Sequence, residues 1–355
     1  MIRFSESPLD AEPLPLLVRI VQGGDADLES VLAWAREHRT LLLQRLTAHG
    51  GVMLRGLRAL DGAPAFNALL GVLTPELMDY VGGSAPRHAV LGKVMTATDL
   101  PPACSLALHQ EMAYTARSPQ GIAFFCETPP DEGGQTTVAD ARVVTARLDP
   151  AVRARFDAQG VRVRRALPSP ASLSRKPGIP KAWPDVFGTA DRDEVRRIAA
   201  ARGWDIEWLP DGSLQLLQEL LPAFRSHALT GERVWFNQAH YHTPECTLAW
   251  AERDGRQQDA FHIRQAIAQD PQMLDRSFHG DGSEVSPADS RHIWHTLMSA
   301  EVPVAWQAGD VLLLDNLLAM HGRRAFSGRR RILAALIRQL SPQAAEPAGA
   351  GLQAA

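Results

Sequence analysis

The chain has 355 residues, 45% hydrophobic and 22% charged, which is enough apolar material for a sizeable core. A formal net charge of -3, with a pI near 6.5, offers nothing that would draw nucleic acid or an anionic membrane as a partner. There is no basic leader followed by an apolar core, and no apolar run reaches about 18 residues, so a soluble cytoplasmic protein is expected.

In chain order, Asp27 can cap a helix running to about Ala48. Its apolar stripe is Leu28, Val31, Leu32, Ala35, Leu42, Leu43 and Leu46, and Gly50-Gly51 stops it. Residues 51–54 then read as a strand and residues 63–73 as a second helix. His109-Gln110-Glu111 follows, and the alternation over 121–126 predicts another strand. Pro129-Pro130-Asp131-Glu132-Gly133-Gly134 signals a turn into the β-branched stretch Thr136-Thr137-Val138. Residues 165–183, rich in Pro and Ser, read as a mobile loop and a candidate lid. Residues 233–237 predict a strand and 259–274 a helix. His292 and His295, at i and i+3 of a further helix, read as surface or interhelical residues. The apolar run Val311-Leu312-Leu313-Leu314-Asp315 precedes His321, after which a Gly-containing loop leads to a strand opening with Arg329-Arg330-Arg331. Residues 341–355, rich in Ala, Gly, Pro and Gln, are expected to be disordered. With no repeat and no linker, 1–340 reads as a single domain with helices outside a mainly antiparallel sheet, an α+β outline. Cys104, Cys126 and Cys246 are too few and too scattered for a disulfide framework or a thiolate metal site, and fit a reducing compartment.

One constellation carries a specific chemical meaning. An H-x-E pair places an imidazole and a carboxylate at i and i+2, on one face of a strand. A second imidazole, His321, arriving from a distant strand would complete a 2-His-1-carboxylate facial triad, which suits non-haem Fe(II) because it leaves adjacent coordination positions open. With 12 histidines in the chain, H-x-E alone is a weak signal. The surroundings strengthen it. The Thr136 strand returns a hydroxyl toward the pair, and a guanidinium after His321 could hold the distal carboxylate of a 2-oxo diacid. His240-Tyr241-His242 is also metal-like, but no carboxylate stands in a ligand position beside it, so pocket lining or packing is the better reading.

The blocks Leu108-His109-Gln110-Glu111, Gly133-Gly134-Gln135-Thr136, Trp235-Phe236-Asn237-Gln238, Leu314-Asp315-Asn316, His321-Gly322-Arg323 and Arg330-Arg331 resemble the Fe(II)/2-oxoglutarate dioxygenases related to taurine dioxygenase and clavaminate synthase. Their order and spacing, over about residues 51–340, are most similar to the branch that modifies amino acids in natural-product pathways. The resemblance implies a double-stranded β-helix (jelly-roll, cupin-like) core flanked by helices. It implies Fe(II), with 2-oxoglutarate and O2 as co-substrates, and His109, Glu111 and His321 as ligands. It also implies Arg331, with Arg330 as the neighbouring choice, and Thr136 as partners of the 2-oxoglutarate carboxylate. Asn237 and His240 would then lie near the substrate pocket.

The expected reaction is hydroxylation of an unactivated C–H in an amino acid, free or tethered to a carrier protein, with release of succinate and CO2. Halogenating relatives lack the metal carboxylate, so Glu111 argues against halogenation; desaturation and epoxidation stay open. Arg87, Arg117, Arg142 and Arg323 are candidate partners for a substrate carboxylate, with Arg323 preferred because it lies two residues from His321. The rival classes are a zinc hydrolase using the same three side chains, which leaves Thr136 and the arginine cluster unused, and a non-catalytic barrel whose histidines are structural.

Overall fold

The computed structural model describes residues 1–9, 14–74, 76–80, 87–178 and 180–340. The expected tail at 341–355 lies outside these. Period-2 patterning with apolar residues on both faces accounts for the central strands. In Val311–Asp315, Val311 and Leu313 face one core and Leu312 and Leu314 another. Gly121–Thr128 behaves likewise, with Ala123 and Phe125 on one side and Ile122, Phe124 and Cys126 on the other. These strands sit at the centre of a nine-stranded sheet. Its order is Arg3–Pro8, Leu16–Gln22, Gly51–Arg55, Val311–Asp315, Gly121–Thr128, Arg331–Ile337, Val94–Thr96 and Ala89–Leu91, with Leu77–Met78 also paired to Arg331–Ile337. Pairing is antiparallel except between Leu16–Gln22 and Gly51–Arg55.

A second, four-stranded sheet of Val302–Val304, Thr136–Asp140, Ala319–Arg323 and Leu106–His109 faces the first. Met53, Ile122, Phe124, Val138, Leu312 and Ile332 fill the space between them. This is the expected jelly roll. Helices cover both outer faces. Leu28–His49 and Ala63–Leu73 pack on the large sheet, where Phe66 stacks on Phe125 with ring centroids 5.3 Å apart. Burying a side chain of that size contributes roughly 1.5–3 kcal/mol. Asp27 caps the first helix by accepting from the Ser30 N–H, and Gly50 ends it in the left-handed region, as its sequence predicts. Ala141–Arg147, Pro150–Gln159 and Pro287–Ala300 cover the small sheet through Phe156, Trp235 and Ile293.

Between Thr136–Asp140 and Val302–Val304 the chain inserts a further layer. It is a sheet of Asp205–Trp208, Leu214–Leu217, Arg162–Leu167 and Arg276–Phe278 with its own small core around Trp183, Val195 and Leu216. The 165–183 stretch belongs to this layer and is not the free loop its composition suggested. Pro170–Arg175 forms a 3-10 helix, and Arg175 pairs with Asp211 and Asp270. Lys176 pairs with Asp275, and the Trp183 indole donates to the Gly212 carbonyl. Prolines there remove ladder donors but leave side chains free to pin the segment. The helix expected over 259–274 runs over Gln257–Gln269, and a short 3-10 turn follows, because Pro271 cannot continue it. His292 accepts from the Asp149 N–H, an interhelical role. All three cysteines are free. Among the described residues no helix is long and apolar enough to cross a membrane.

Asp315 anchors the crossing between the two sheets. Its Oδ1 accepts from the N–H groups of Leu317 and Leu318, and its Oδ2 meets His227 Nε2 at 2.9 Å. That hydrogen bond to Asp315 raises the His227 pKa above its ordinary value, with burial opposing. A group raised in the folded state stabilises fully below its unfolded value of about 6.5, and the contribution is lost as pH rises through the folded value. In urea unfolding, His227→Gln should therefore cost most at mildly acidic pH, and the gap to wild type should narrow as pH climbs. A gap independent of pH would dismiss the linkage.

Candidate metal centre

His109 ends the strand Leu106–His109 and is paired in register with His321 on Ala319–Arg323. Both side chains point between the sheets. Across the next strand His321 pairs with Val138, which lies in the inter-sheet core, while the alternate residue Met320 packs outward. The imidazole centroids are 4.4 Å apart, and Phe124 meets His321 at 5.2 Å. Gly322 makes the approach possible. A Cβ there would stand 2.5 Å from the Leu106 carbonyl oxygen and 2.8 Å from Thr137 Oγ1. No larger residue fits without moving the strand that carries His109.

Glu111 is not on the strand. The ladder stops at His109, and Glu111 enters a turn in which Met112 takes φ 55, a left-handed conformation uncommon outside glycine. The i, i+2 geometry expected of H-x-E is thus replaced by a held turn. Asn316 holds it: its Oδ1 accepts from the Glu111 N–H at 2.7 Å, and its Nδ2 donates to the carbonyls of Glu111 and Pro119, each at 2.9 Å. Gln110 contributes by donating to the Trp235 carbonyl at 2.6 Å. Neither role was readable from the chain, because both join residues more than a hundred positions apart.

One donor atom from each of His109, Glu111 and His321 lies within 4.8 Å of the others, and all three residues are buried. Burial, and then the neighbouring His321, push the His109 pKa down to about 3, so its imidazole is neutral. Its Nδ1–H donates to the Ala107 carbonyl at 2.8 Å, which leaves the Nε2 lone pair for a metal. Burial alone would raise the Glu111 carboxyl. Arg87, with help from His321 and His109, more than offsets this and holds it well below the usual range. The Arg87 guanidinium donates to Glu111 Oε2 at 2.7 Å and lies over the Tyr80 ring. A neutral His109 imidazole, a second imidazole from His321 and an ionised carboxylate suit ferrous iron, and the donors present fit it.

A cleft is lined by Thr96, Thr98, Asp99, Leu100, Phe326 and Ile332 together with Arg323, Arg330 and Arg331. Burial separates the two candidate arginines. Ile332, Ala334 and Leu336 face the inter-sheet core and Leu333, Ala335 and Ile337 face away. Arg330 falls on the inner side; Arg331 turns outward, half-exposed, and pairs with Glu127. Both arginines line the cleft, and Arg330 is the more buried of the two. The Arg330 Nε donates to the Gly134 carbonyl at 3.0 Å. Burial, together with Arg323, pushes its pKa down to about 9, the mark of a buried cation short of a counter-charge. Thr136 shares the inner face with Val138; its hydroxyl accepts from the Trp306 indole at 3.0 Å and keeps its own hydrogen to donate.

The substrate-side expectations fare differently. Both ends of the Asn237 amide bond main chain, to the Ala223 carbonyl and the Ala239 N–H. His240 is buried and its Nε2 donates to the Leu108 carbonyl at 2.7 Å, so it braces the His109 strand. Arg323 donates to the carbonyls of Leu100, Pro101 and Cys104, which fastens that loop. Arg142 pairs with Asp140 and Glu232 instead. Arg117 lines an open cleft with Met112, Tyr114, Trp204 and Arg338 beyond Glu111.

A family model described as taurine catabolism dioxygenase TauD, TfdA family matches residues 10–336. The chain is 31% identical over 305 residues to the dapdiamide synthesis protein DdaC of Enterobacter agglomerans, covering 85% of this chain and 86% of that protein. It is 30% identical over 333 residues to a clavaminate synthase-like protein of Arabidopsis thaliana, covering 93% and 89%. The crystal structure of AAD-2 with Mn(II) and N-oxalylglycine shares the fold at 12% identity and a TM-score of 0.50, over 96% of this chain and 99% of that one.

Replacing Asn316 by Ala should loosen the Glu111 turn, weakening Fe(II) or Co(II) binding about 10–100-fold. Stability should fall by roughly 1–3 kcal/mol, because buried main-chain groups lose their partner. Metal titration beside denaturant unfolding checks both, and unaltered metal affinity would show that the turn holds itself.

Proposed function

Since the chain belongs to the TauD, TfdA family and is an Fe(II)- and 2-oxoglutarate-dependent dioxygenase, we propose that it hydroxylates an unactivated C–H bond of an amino acid or a carrier-bound aminoacyl group in small-molecule synthesis. The observation that carries this reading is the convergence of His109, Glu111 and His321, together with a buried arginine, Arg330, that makes no ion pair among the described residues. Its similarity to a dapdiamide synthesis protein and a clavaminate synthase-like protein supports a synthetic rather than degradative setting. The zinc hydrolase and the non-catalytic barrel fall away with family membership.

His109, Glu111 and His321 would hold the iron. Bound there with 2-oxoglutarate and O2, it supplies oxidation of an unreactive C–H bond, coupled to decarboxylation of the co-substrate to succinate and CO2. The chain's share is placement. The Arg330 guanidinium and the Thr136 hydroxyl receive the distal carboxylate of 2-oxoglutarate, which orients its other end toward the three ligands. Trp306 donates to the Thr136 oxygen, which leaves the hydroxyl hydrogen free to donate. Arg87 occupies Glu111 Oε2 and keeps the carboxylate ionised. Phe124, Met112 and Ile332 exclude water around the centre. Desaturation or epoxidation would use the same placement.

Anaerobic protein mixed with Fe(II) and 2-oxoglutarate should develop the weak visible charge-transfer band of the chelate. His109→Ala, Glu111→Ala and His321→Ala should each abolish it. Arg330→Ala should weaken 2-oxoglutarate binding by about 30-fold or more, the cost of a lost buried charge-assisted contact. Arg331→Ala should leave it nearly unaltered; the opposite pattern would restore Arg331.

A further inference from the structure

The inserted layer carries an arginine without an ion-pair partner among the described residues. Arg165 lies in the strand Arg162–Leu167, and a chain of contacts leads from that strand to the centre. The Ala166 N–H donates to Asp275 Oδ1 at 2.9 Å, and Asp275 Oδ2 meets His242 Nδ1 at 3.2 Å. The His242 ring lies 5.4 Å from that of Tyr241, whose ring stands 5.9 Å from that of His109. Val163, two residues earlier on the same face of that strand, lines a small cavity with Tyr114 and Asn237, and the Arg165 charge acts on Tyr114 and Tyr241 from that side.

The charges there do not balance. Arg87 is matched by Glu111. Asp275 is paired with Lys176 and also meets His242. Arg165 is left over. Among the described residues it makes no ion pair or hydrogen bond, and its Nε is buried without a partner. A buried donor left unmade is costly, so a partner from outside the chain is the natural completion. Neighbouring Arg164, also without a partner at Nε, packs over Phe278 instead and lines an outer groove.

We propose that Arg165 receives the ionised carboxylate of the substrate, so that the enzyme acts on a free acid, an amino acid or short peptide, and not on an acyl group tethered as a thioester. The inference rests on the oxygenase reading and sharpens it. A thioester carries no charge at that carbon and would leave Arg165 as it stands in the structure. A carboxylate matches the planar fork of the guanidinium.

The test uses full-length protein loaded anaerobically with Fe(II) and 2-oxoglutarate. The probes are proteinogenic L-amino acids and their dipeptides, each beside its C-terminal amide and N-acetylcysteamine thioester. Binding is read as a perturbation of the chelate band, and turnover as succinate release. Acids should bind and stimulate, while amides and thioesters should not; amino acids and dipeptides separate the two sources of the carboxylate. Arg165→Gln should form the chelate band normally yet bind the responding acid about 30-fold or more weakly, with Arg165→Lys recovering part of the loss. Amides or thioesters matching the acids, silence from every probe, or an Arg165→Gln variant that binds like wild type would each overturn the proposal. If that variant does not form the band, the preference of the wild-type protein for acid over amide decides. Absence of the band from wild-type protein would instead strike the oxygenase reading itself.

Discussion

The structure depends on one register: His321 opposite His109 in the antiparallel pairing of Ala319–Arg323 with Leu106–His109. Strand side chains alternate, so a slip of one residue would turn either imidazole out of the inter-sheet space and bring Met320 or Leu108 in. The register is pinned from several directions. Thr136–Asp140 pairs along the whole of Ala319–Arg323, Asp315 accepts from the turn that leads into that strand, and Gly322 permits a backbone approach no other residue would allow. Two imidazoles held 4.4 Å apart in a buried site tolerate that approach because burial keeps His109 neutral.

The electrostatics of the cavity follow from what the fold buries. Arg87, Arg330 and Arg323 come to the barrel mouth, and Glu111 answers the first. Arg323 satisfies itself on carbonyls and serves the loop at 100–104. Arg330 keeps most of its fork free, which is the physical sense of an arginine whose pKa is driven down: its charge is desolvated before its partner arrives. Such preorganisation removes part of the ordering cost of binding a dianionic co-substrate.

The inserted layer shows why composition misleads. A stretch crowded with Pro and Ser forms a poor ladder, yet Arg175, Lys176 and Trp183 tie it to Asp211, Asp270, Asp275 and Gly212. Those ties make the layer a wall. Through Asp275, His242 and Tyr241 it abuts His109, so side chains far from the metal ligands along the chain can still shape what enters.

Local signals were enough for part of this. The cap at Asp27, the stop at Gly50, the helix at Ala63–Leu73 and the double-faced run Val311–Asp315 are determined by neighbours within a few residues, and the chain states them directly. The three candidate ligands were also singled out in the sequence, through an H-x-E and a distant histidine within the matching blocks. Tertiary structure alone decided the rest. That Glu111 leaves the strand, that Asn316 holds it there and that Arg87 covers its second oxygen are facts about contacts between distant segments. Among consecutive arginines, composition cannot say which is buried; the tertiary structure covers Arg330 and leaves Arg331 half-exposed against Glu127, because only packing between distant segments sets which side chain is covered.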